Sequence, residues 1–346
     1  MKNILTVLPH YNSMTIMGID KNRRLAISVI GEPMAEFSSA GRNSYGLSFS
    51  GDAVNVATSA ARLGLKACVI SAAGDDSFGR ELMKYLESED IGTEGMTVVK
   101  GGFTGLYFIS LGKNGKHEFT YYRKHSAASS MHITGKQLDA IRDSSIFHFS
   151  GIAQAIGSES GKSVSVALNA AVRAGCFISY DVNFRPALWT RKNAIRALES
   201  VASRTDLIFI SSEDYSLMFG KESVSAVIER MSVMGASNII YKCGGSGSIA
   251  DFDGKLAKQK AFHVKAIDAT GAGDAFDAGF LAHYYRTGDA KRAMEFASVN
   301  AALKCLKKGG TRGLPHVDMV TRAIRSGRRK KMRPGGDQAA GMGRAV

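Results

Sequence analysis

Ala26-Ile27-Ser28-Val29-Ile30-Gly31, then Ala53 to Leu63 (AVNVATSAARL) closed by Gly64, then Ala67-Cys68-Val69-Ile70-Ser71, make up the stretch on which the fold turns. The first and third runs are short, apolar and rich in β-branched residues, which suits strands covered on both faces. The run between them is small on one face, helical in spacing, and stopped by a glycine. The alternation continues along the chain. Ser77 to Ser88 has the pattern of an amphipathic helix. Ile146 to Ser150, Phe177 to Asp181, Leu207 to Ser211 and Asn238 to Lys242 have that of strands, and Gly161 to Ala174, Lys192 to Ser203 and Val224 to Met234 that of helices. Strands and helices in turn predict an α/β fold: a doubly wound, mostly parallel sheet whose ligands bind beyond the carboxyl ends of its strands.

Two segments break the rhythm. Glu36 to Phe49 lies between the first strand and the first helix. Phe103 to Arg123 holds two alternating runs, LYFISL and HEFTYYR, around Gly112-Lys113-Asn114-Gly115, a hairpin with an Asn-Gly turn. Hairpins of this kind do not join a parallel sheet easily. Residues of about 36–50 and 103–125 are therefore expected to form a small inserted β-sheet, a lid over the strand ends that excludes water.

Composition narrows the function classes. With 45% hydrophobic and 22% charged residues over 346 positions, the chain can bury a sizeable core and is not globally disordered. No apolar run approaches the ~18 residues of a membrane helix, and the start carries no evident signal peptide. Cys68, Cys176, Cys243 and Cys305 are far apart with no C-x-x-C pair, which argues against zinc or a disulfide framework and for a reducing, cytoplasmic setting. The net charge is +14, and Arg322 to Val346 holds eight basic residues against one acid, Asp337. Residues 331–346 are expected to be a basic flexible tail, 1–25 an N-terminal extension, and 26–330 the folded domain. The charge is thus largely a solvated end, not a nucleic-acid surface; the remaining positive bias suits anionic substrates.

The strongest chemical signal is Ile267-Asp268-Ala269-Thr270-Gly271-Ala272-Gly273-Asp274-Ala275-Phe276, followed by a helical pattern. Gly271 and Gly273 let the backbone turn tightly and bring its N–H groups close to a ligand. A helix N-terminus then adds unpaired donors and a positive dipole end, so Gly271, Ala272 and Gly273 make an anion hole fit for a phosphoryl group in transfer. Asp274 is placed to accept a proton from an attacking hydroxyl. A plain glycine-rich loop with Asp274 as a helix cap is the competing reading of a bare G-A-G-D.

This string resembles the D-T-x-G-A-G-D-x-F signature of the PfkB, or ribokinase-like, carbohydrate kinases. Ser50-Gly51-Asp52-Ala53-Val54-Asn55 running on to Ala61-Arg62-Leu63-Gly64 is similar to the family's first signature, with Ser50 in place of one glycine. The resemblance covers roughly Ala26 to Arg325. It implies a ribokinase-like kinase using ATP and Mg²⁺, with a monovalent cation near Asp268 in some relatives. It implies sugar contacts from Gly51, Asp52 and Asn55, and Asp274 as base. The strings Gly31-Glu32-Pro33-Met34, Phe103 to Tyr107, Tyr121 to Lys124 and Asp181 to Trp189 resemble the 2-keto-3-deoxygluconate kinase branch. On that branch Tyr107, Tyr121, Arg123 and Arg185 are expected to bind a sugar acid, the arginine forks being suited to its carboxylate.

For the nucleotide the resemblance implies Asn183, Arg185, Ser211, the loop Lys242, Gly244, Gly247 and Ser248, then Asp268, and Ser298 near the adenine, with Asn300 two residues out of register. A hairpin turn explains Gly244 to Ser248 equally well. Asp214 is the candidate metal ligand, with Glu213 as substitute, in an element where the family carries Asn-x-x-Glu. An acid expected near Gly310 is missing. The lid hairpin, with Leu106, Phe108, Phe119 and Tyr122, predicts a homo-oligomer. The alternatives are a kinase for a neutral sugar such as ribose or fructose, and a non-catalytic sugar- or nucleotide-binding protein.

Overall fold

A computed structural model describes residues 19–41, 44–111 and 117–332. In chain order the elements are β1 (Leu25–Ile30), β2 (Met34–Gly41), β3 (Ser44–Ser50), α1 (Asp52–Arg62), β4 (Ala67–Gly74), α2 (Ser77–Ser88), β5 (Met96–Val99), β6 (Leu106–Leu111) and β7 (His117–Tyr122). There follow α3 (Gly135–Arg142), β8 (Ser144–Ser150), α4 (Gly151–Ala155), α5 (Ser158–Arg173), β9 (Phe177–Asp181), α6 (Arg191–Ala202), β10 (Leu207–Ser211), α7 (Ser212–Phe219) and α8 (Val224–Val233). The chain continues through β11 (Asn238–Lys242), β12 (Ser248–Phe252), β13 (Lys255–Gln259), α9 (Ala272–Thr287), α10 (Ala290–Lys304) and α11 (Val317–Met332).

The main sheet has nine strands in the order β13-β12-β11-β10-β9-β8-β1-β4-β5. All pairs from β5 to β11 are parallel, and β12 and β13 add an antiparallel edge. Every residue of β1 and β4 is buried. Alternation within β10 shows why both faces must be covered. Leu207 and Phe209 join one core, with residues of α1, α9 and α10, while Ile208 and Ile210 join the other, with residues of α5, α6 and α8. The sheet is thus doubly wound, as the sequence predicts.

The lid is a separate four-stranded sheet, β3-β2-β6-β7, with β2 and β6 parallel and hairpins on either side. It springs from the β1 end: at Gly51, φ is 112° and a Cβ would overlap the Glu32 carbonyl, so only glycine lets β3 turn into α1 there. The Asn-Gly turn lies outside the described residues. Phe108 is not a free apolar residue; it stacks on Phe37 at 5.0 Å and meets Tyr45 edge-on. Phe119 and Tyr122 are exposed.

Two expectations need correction. The segment leading into Gly271 is irregular backbone from 260 to 271, the preceding strand β13 having ended at Gln259, where a strand running directly into the glycine loop was expected. The basic run Arg328-Arg329-Lys330-Lys331 continues α11, so the helix reaches into the residues assigned to a flexible tail; 333–346 lie outside the described residues. Among the described residues no helix is long and apolar enough to cross a membrane.

Candidate active site

α9 begins at Ala272, with Gly271 before it in the left-handed region at φ 73°. A Cβ on Gly271 would stand 3.2 Å from both Asn55 Nδ2 and the Gly310 carbonyl, so the backbone is drawn close to its neighbours. The N–H groups of a helix's first turn have no intrahelical acceptor. Ala272 donates its N–H back to the Ala269 carbonyl at 3.0 Å, while Gly273 and Asp274 follow it in the first turn. Asp274 sits in this turn, partly open at the mouth of the cleft. Asn55 Nδ2 donates to its Oδ2 at 2.7 Å, and Ser50 Oγ donates to Asn55 Oδ1 at 2.9 Å. Burial pushes the Asp274 carboxyl up to about 6; the Asn55 hydrogen bond opposes this, and the charges of Asp181 and Asp52 add to it.

Below the loop lies a buried ionic group. Lys242 Nζ donates to Asp181 Oδ2 and to both oxygens of Asp277, each at 3.0 Å. A Cβ on Gly273 would stand 3.6 Å from that ammonium, which places positive charge against the anion-receiving turn. Burial lowers the lysine's pKa, but the two carboxylates outweigh it and hold it above its ordinary value. Burial and the neighbouring Asp181 charge raise the Asp277 carboxyl, while the charge of Lys242 holds Asp181 below its ordinary value. Asp181 Oδ1 is buried with no hydrogen-bond partner. Asp181 lines a small recess with Asp52, His148, Ser150, Asn183 and Asp274. His148 is pushed down to about 4 by burial, so it is neutral there.

Asp52 is not a helix cap. Its Oδ1 accepts the Glu32 N–H at 2.8 Å and its Oδ2 the Ser150 hydroxyl. Gly31 makes the approach possible, since a Cβ there would lie 2.7 Å from that carboxylate. Asn183 follows β9 with a positive φ of 39°, a conformation asparagine tolerates. Arg185 is half exposed, donates to the Phe184 carbonyl at 3.0 Å and stands 3.8 Å from Asp214. Ser211 caps α7 by accepting the Asp214 N–H at 2.9 Å, and Glu213 points to solvent.

The lid residues are less free than their types suggest. Arg123 Nη2 donates to Glu32 Oε2, and its guanidinium lies 5.2 Å from the Tyr121 ring centre. Glu32 is fully buried, and burial raises its carboxyl to about 7 against the pull of Arg123. The Tyr107 hydroxyl donates to Glu36 Oε2, which also accepts the Gly310 N–H at 2.9 Å. Glu36 thus brings a carboxylate to Gly310, where the sequence lacks an acid of its own. Tyr121 is 45% exposed, its phenol raised by burial while the charges of Arg123 and Arg185 pull it back.

On the nucleotide side, Gly244 to Ser248 is the hairpin connection between β11 and β12; Gly244 and Gly247 carry positive φ, and the Ser248 hydroxyl is buried without a partner. Ser298 Oγ accepts the Phe262 N–H at 3.0 Å and so ties α10 to the irregular segment. Asn300 is core, donating to Ser59 Oγ and the Ala275 carbonyl. Asp268 accepts from Thr270 N–H and Oγ1 and from the Gly309 N–H, which sets the loop's shape.

The model of the PfkB carbohydrate kinases matches residues 27–317. The chain belongs to the pfkB family of carbohydrate kinases. Among the kinase's relatives, the 2-dehydro-3-deoxygluconokinase of Thermoproteus tenax is 27% identical over 301 residues, covering 84% of this chain and 91% of that one. Fructokinase-2 of Oryza sativa subsp. japonica is 30% identical over 287 residues, covering 79% and 84%. The fold of the kinase matches that of a putative ribokinase II from E. coli, solved with ATP and Mg²⁺, at a TM-score of 0.79 and 23% identity, covering 87% and 99%. Sequence reasoning had no means to single out Glu32, Glu36, His148 or Asp277. Each is a polar side chain that the fold buries, and residue type alone names no partner for it.

Proposed function

We propose that the kinase transfers the γ-phosphoryl group of MgATP to the primary hydroxyl of 2-keto-3-deoxygluconate, giving the 6-phosphate. The observation that carries the substrate class is the Arg123 guanidinium held 5.2 Å from the ring of the lid tyrosine Tyr121, with the charge of Arg185 also acting on that phenol. A guanidinium beside an exposed phenol suits a carboxylate and its neighbouring hydroxyls. The T. tenax relative supports the same class by its name.

Asp274 takes the proton of the attacking hydroxyl, held in aim by Asn55. The N–H groups of Gly273 and Asp274, with the Lys242 charge behind them, receive the phosphoryl oxygens. Gly51, Asp52 and Asn55 form the sugar's floor, and the lid excludes water that would compete as acceptor. For the nucleotide, Asn183, Arg185, Ser211 and the Gly244–Ser248 hairpin offer donors. Mg²⁺ is ordinarily carried on nucleotide phosphates with one or two carboxylates; the unpartnered Asp181 Oδ1 and the Asp214 carboxylate fit that need, and the ion would offset phosphate charge. Exposed Tyr45, Leu47, Phe119 and Tyr122 on the lid suit pairing with a second copy of the chain.

One observation favours a neutral sugar such as fructose: Glu32 already matches the charge of Arg123. ADP release with MgATP, measured on the keto acid, fructose, ribose and no sugar, separates the two. Turnover on the keto acid, absent in Asp274→Asn, is expected. Turnover on fructose instead would overturn the carboxylate role of Arg123 and leave the base intact. A monomer by sedimentation at micromolar concentration would remove the lid pairing.

A further inference from the structure

Lys304 closes α10, and its side chain is completely buried. A lysine is almost never buried to that degree unless it is paired, and the ammonium here donates to a backbone oxygen, the Asp268 carbonyl, at 3.2 Å. Two segments meet around it. Ile267 and Asp268 donate their N–H groups to the Cys305 carbonyl at 2.7 and 3.2 Å, and Gly309 donates to Asp268 Oδ2 at 2.8 Å. Burial lowers the lysine's pKa, and Asp268, Glu36 and Asp274 act against that. The ammonium therefore sits against the Asp268 carbonyl, at the root of the loop that leads into α9, where the charges of Asp268, Glu36 and Asp274 favour a cation. Nothing in the transfer step uses it.

We propose that Lys304 is a positioning residue whose ammonium acts as a built-in cation, holding the Asp268–Asp274 loop and the 305–310 segment in register so that the first turn of α9 keeps its anion-receiving shape. A tethered cation needs no counterpart from solution, so the kinase should work and hold its stability equally in potassium, sodium or choline salts. Cutting the side chain back leaves a hole beside the Asp268 carbonyl and removes the positive charge that Asp268, Glu36 and Asp274 favour. A small monovalent cation fits that hole; choline does not.

The inference rests on the phosphotransfer reading only for its activity arm, so the test has a second arm that needs no substrate. Wild type, Lys304→Ala and Lys304→Met are compared in choline, sodium, potassium and ammonium chloride at equal ionic strength, by thermal unfolding and by turnover. Misplacing the loop should cost Lys304→Ala on the order of 10²-fold in turnover in choline. Potassium or ammonium should raise both its melting temperature and its turnover, leaving wild type unmoved. Lys304→Met fills the space without the charge; it should fold, lose turnover and gain nothing from any cation. If Lys304→Ala does not fold, an inactive but folded Lys304→Met with a salt-independent wild type still supports the proposal. A wild type that needs potassium, a Lys304→Met as active as wild type, or a folded Lys304→Ala whose melting temperature no cation raises would overturn it. A cation-specific rise in melting temperature with no turnover on any sugar would sustain the cation role while sinking the substrate reading.

Discussion

The floor of the cleft and its lid each hold an ion pair, and the two are built differently. On the floor, Lys242 reaches three carboxylate oxygens of Asp181 and Asp277 at 3.0 Å each. On the lid, Arg123 meets Glu32 through one nitrogen and one oxygen, while Arg123 Nε and Glu32 Oε1 are buried with no partner among the described residues. An arginine fork can bind a carboxylate through two parallel bonds; here half of that capacity is idle. The floor is saturated around its lysine and fixed, so it can present a constant field to a phosphoryl group. The lid pair is held by half its valence, so a substrate oxygen can re-pair with it at small cost. On the proposed reading, in which the floor serves the phosphoryl group and the lid meets the sugar, that division suits both tasks.

The hardest test of the floor is Lys242→Met. It leaves Asp181 and Asp277 buried without their cation, and losing one partner of such a group costs about 3–5 kcal/mol. Chemical denaturation should show a loss of that order; a loss under ~1 kcal/mol would mean that the floor is not fixed by this lysine.

Asp274→Asn comes next and pulls activity and stability apart. Loss of the base should lower turnover roughly 10²- to 10⁴-fold. The carboxyl's pKa is raised from 3.8 to about 6 in the folded protein, so its stabilising contribution is full below pH 3.8 and is lost as pH rises through about 6. At neutral pH the ionised group is therefore a burden. Asparagine removes it while still accepting from Asn55, so the variant should be more stable at pH 7 by about 1 kcal/mol, a figure held down because the side chain is partly exposed. Wild-type turnover should fall as pH drops below about 6. A flat pH profile down to pH 5 would count against Asp274 as the titrating base.

The smallest effect belongs to the lid. Burial raises Glu32 to about 7, so below that pH it is neutral and grips Arg123 less. The KM for a sugar acid should then drop a few-fold between pH 8 and pH 6.5, with the KM for ATP unchanged, a change of about 1 kcal/mol. Glu32→Gln should show the low KM at both pH values. An equal drop for fructose would mean that Arg123 does not meet a substrate carboxylate.

The fold was legible because its signal is local. The run of β1 and the small-faced helix α1 were visible residue by residue, as were Gly271 and Gly273 beside Asp274. What stayed hidden was pairing across distance. Arg123 looked available because its partner Glu32 is 91 residues away, and Lys242 looked like a nucleotide ligand because Asp277 and Asp181 are 35 and 61 residues off. Short elements such as β5 and α3, and the antiparallel edge β12-β13, carry too few residues to establish a period. Ser298, expected near the adenine, has its hydroxyl occupied by the 260–262 segment, which no spacing argument reveals.

The contact between Asn55 and Asp274 joins residues 219 apart in the chain. A ribosome has therefore made β1, β4, β5 and β8, enough to begin a sheet, long before α9 arrives to pack on α1. Through that interval α1 shows an apolar face, with Ala53, Val56 and Ala60 lacking the helices that cover them later. The proton acceptor and the residue that aims it are united only near the end of synthesis. Unfinished chains thus lack the Asn55–Asp274 contact and carry an uncovered apolar face, the kind of surface that invites aggregation.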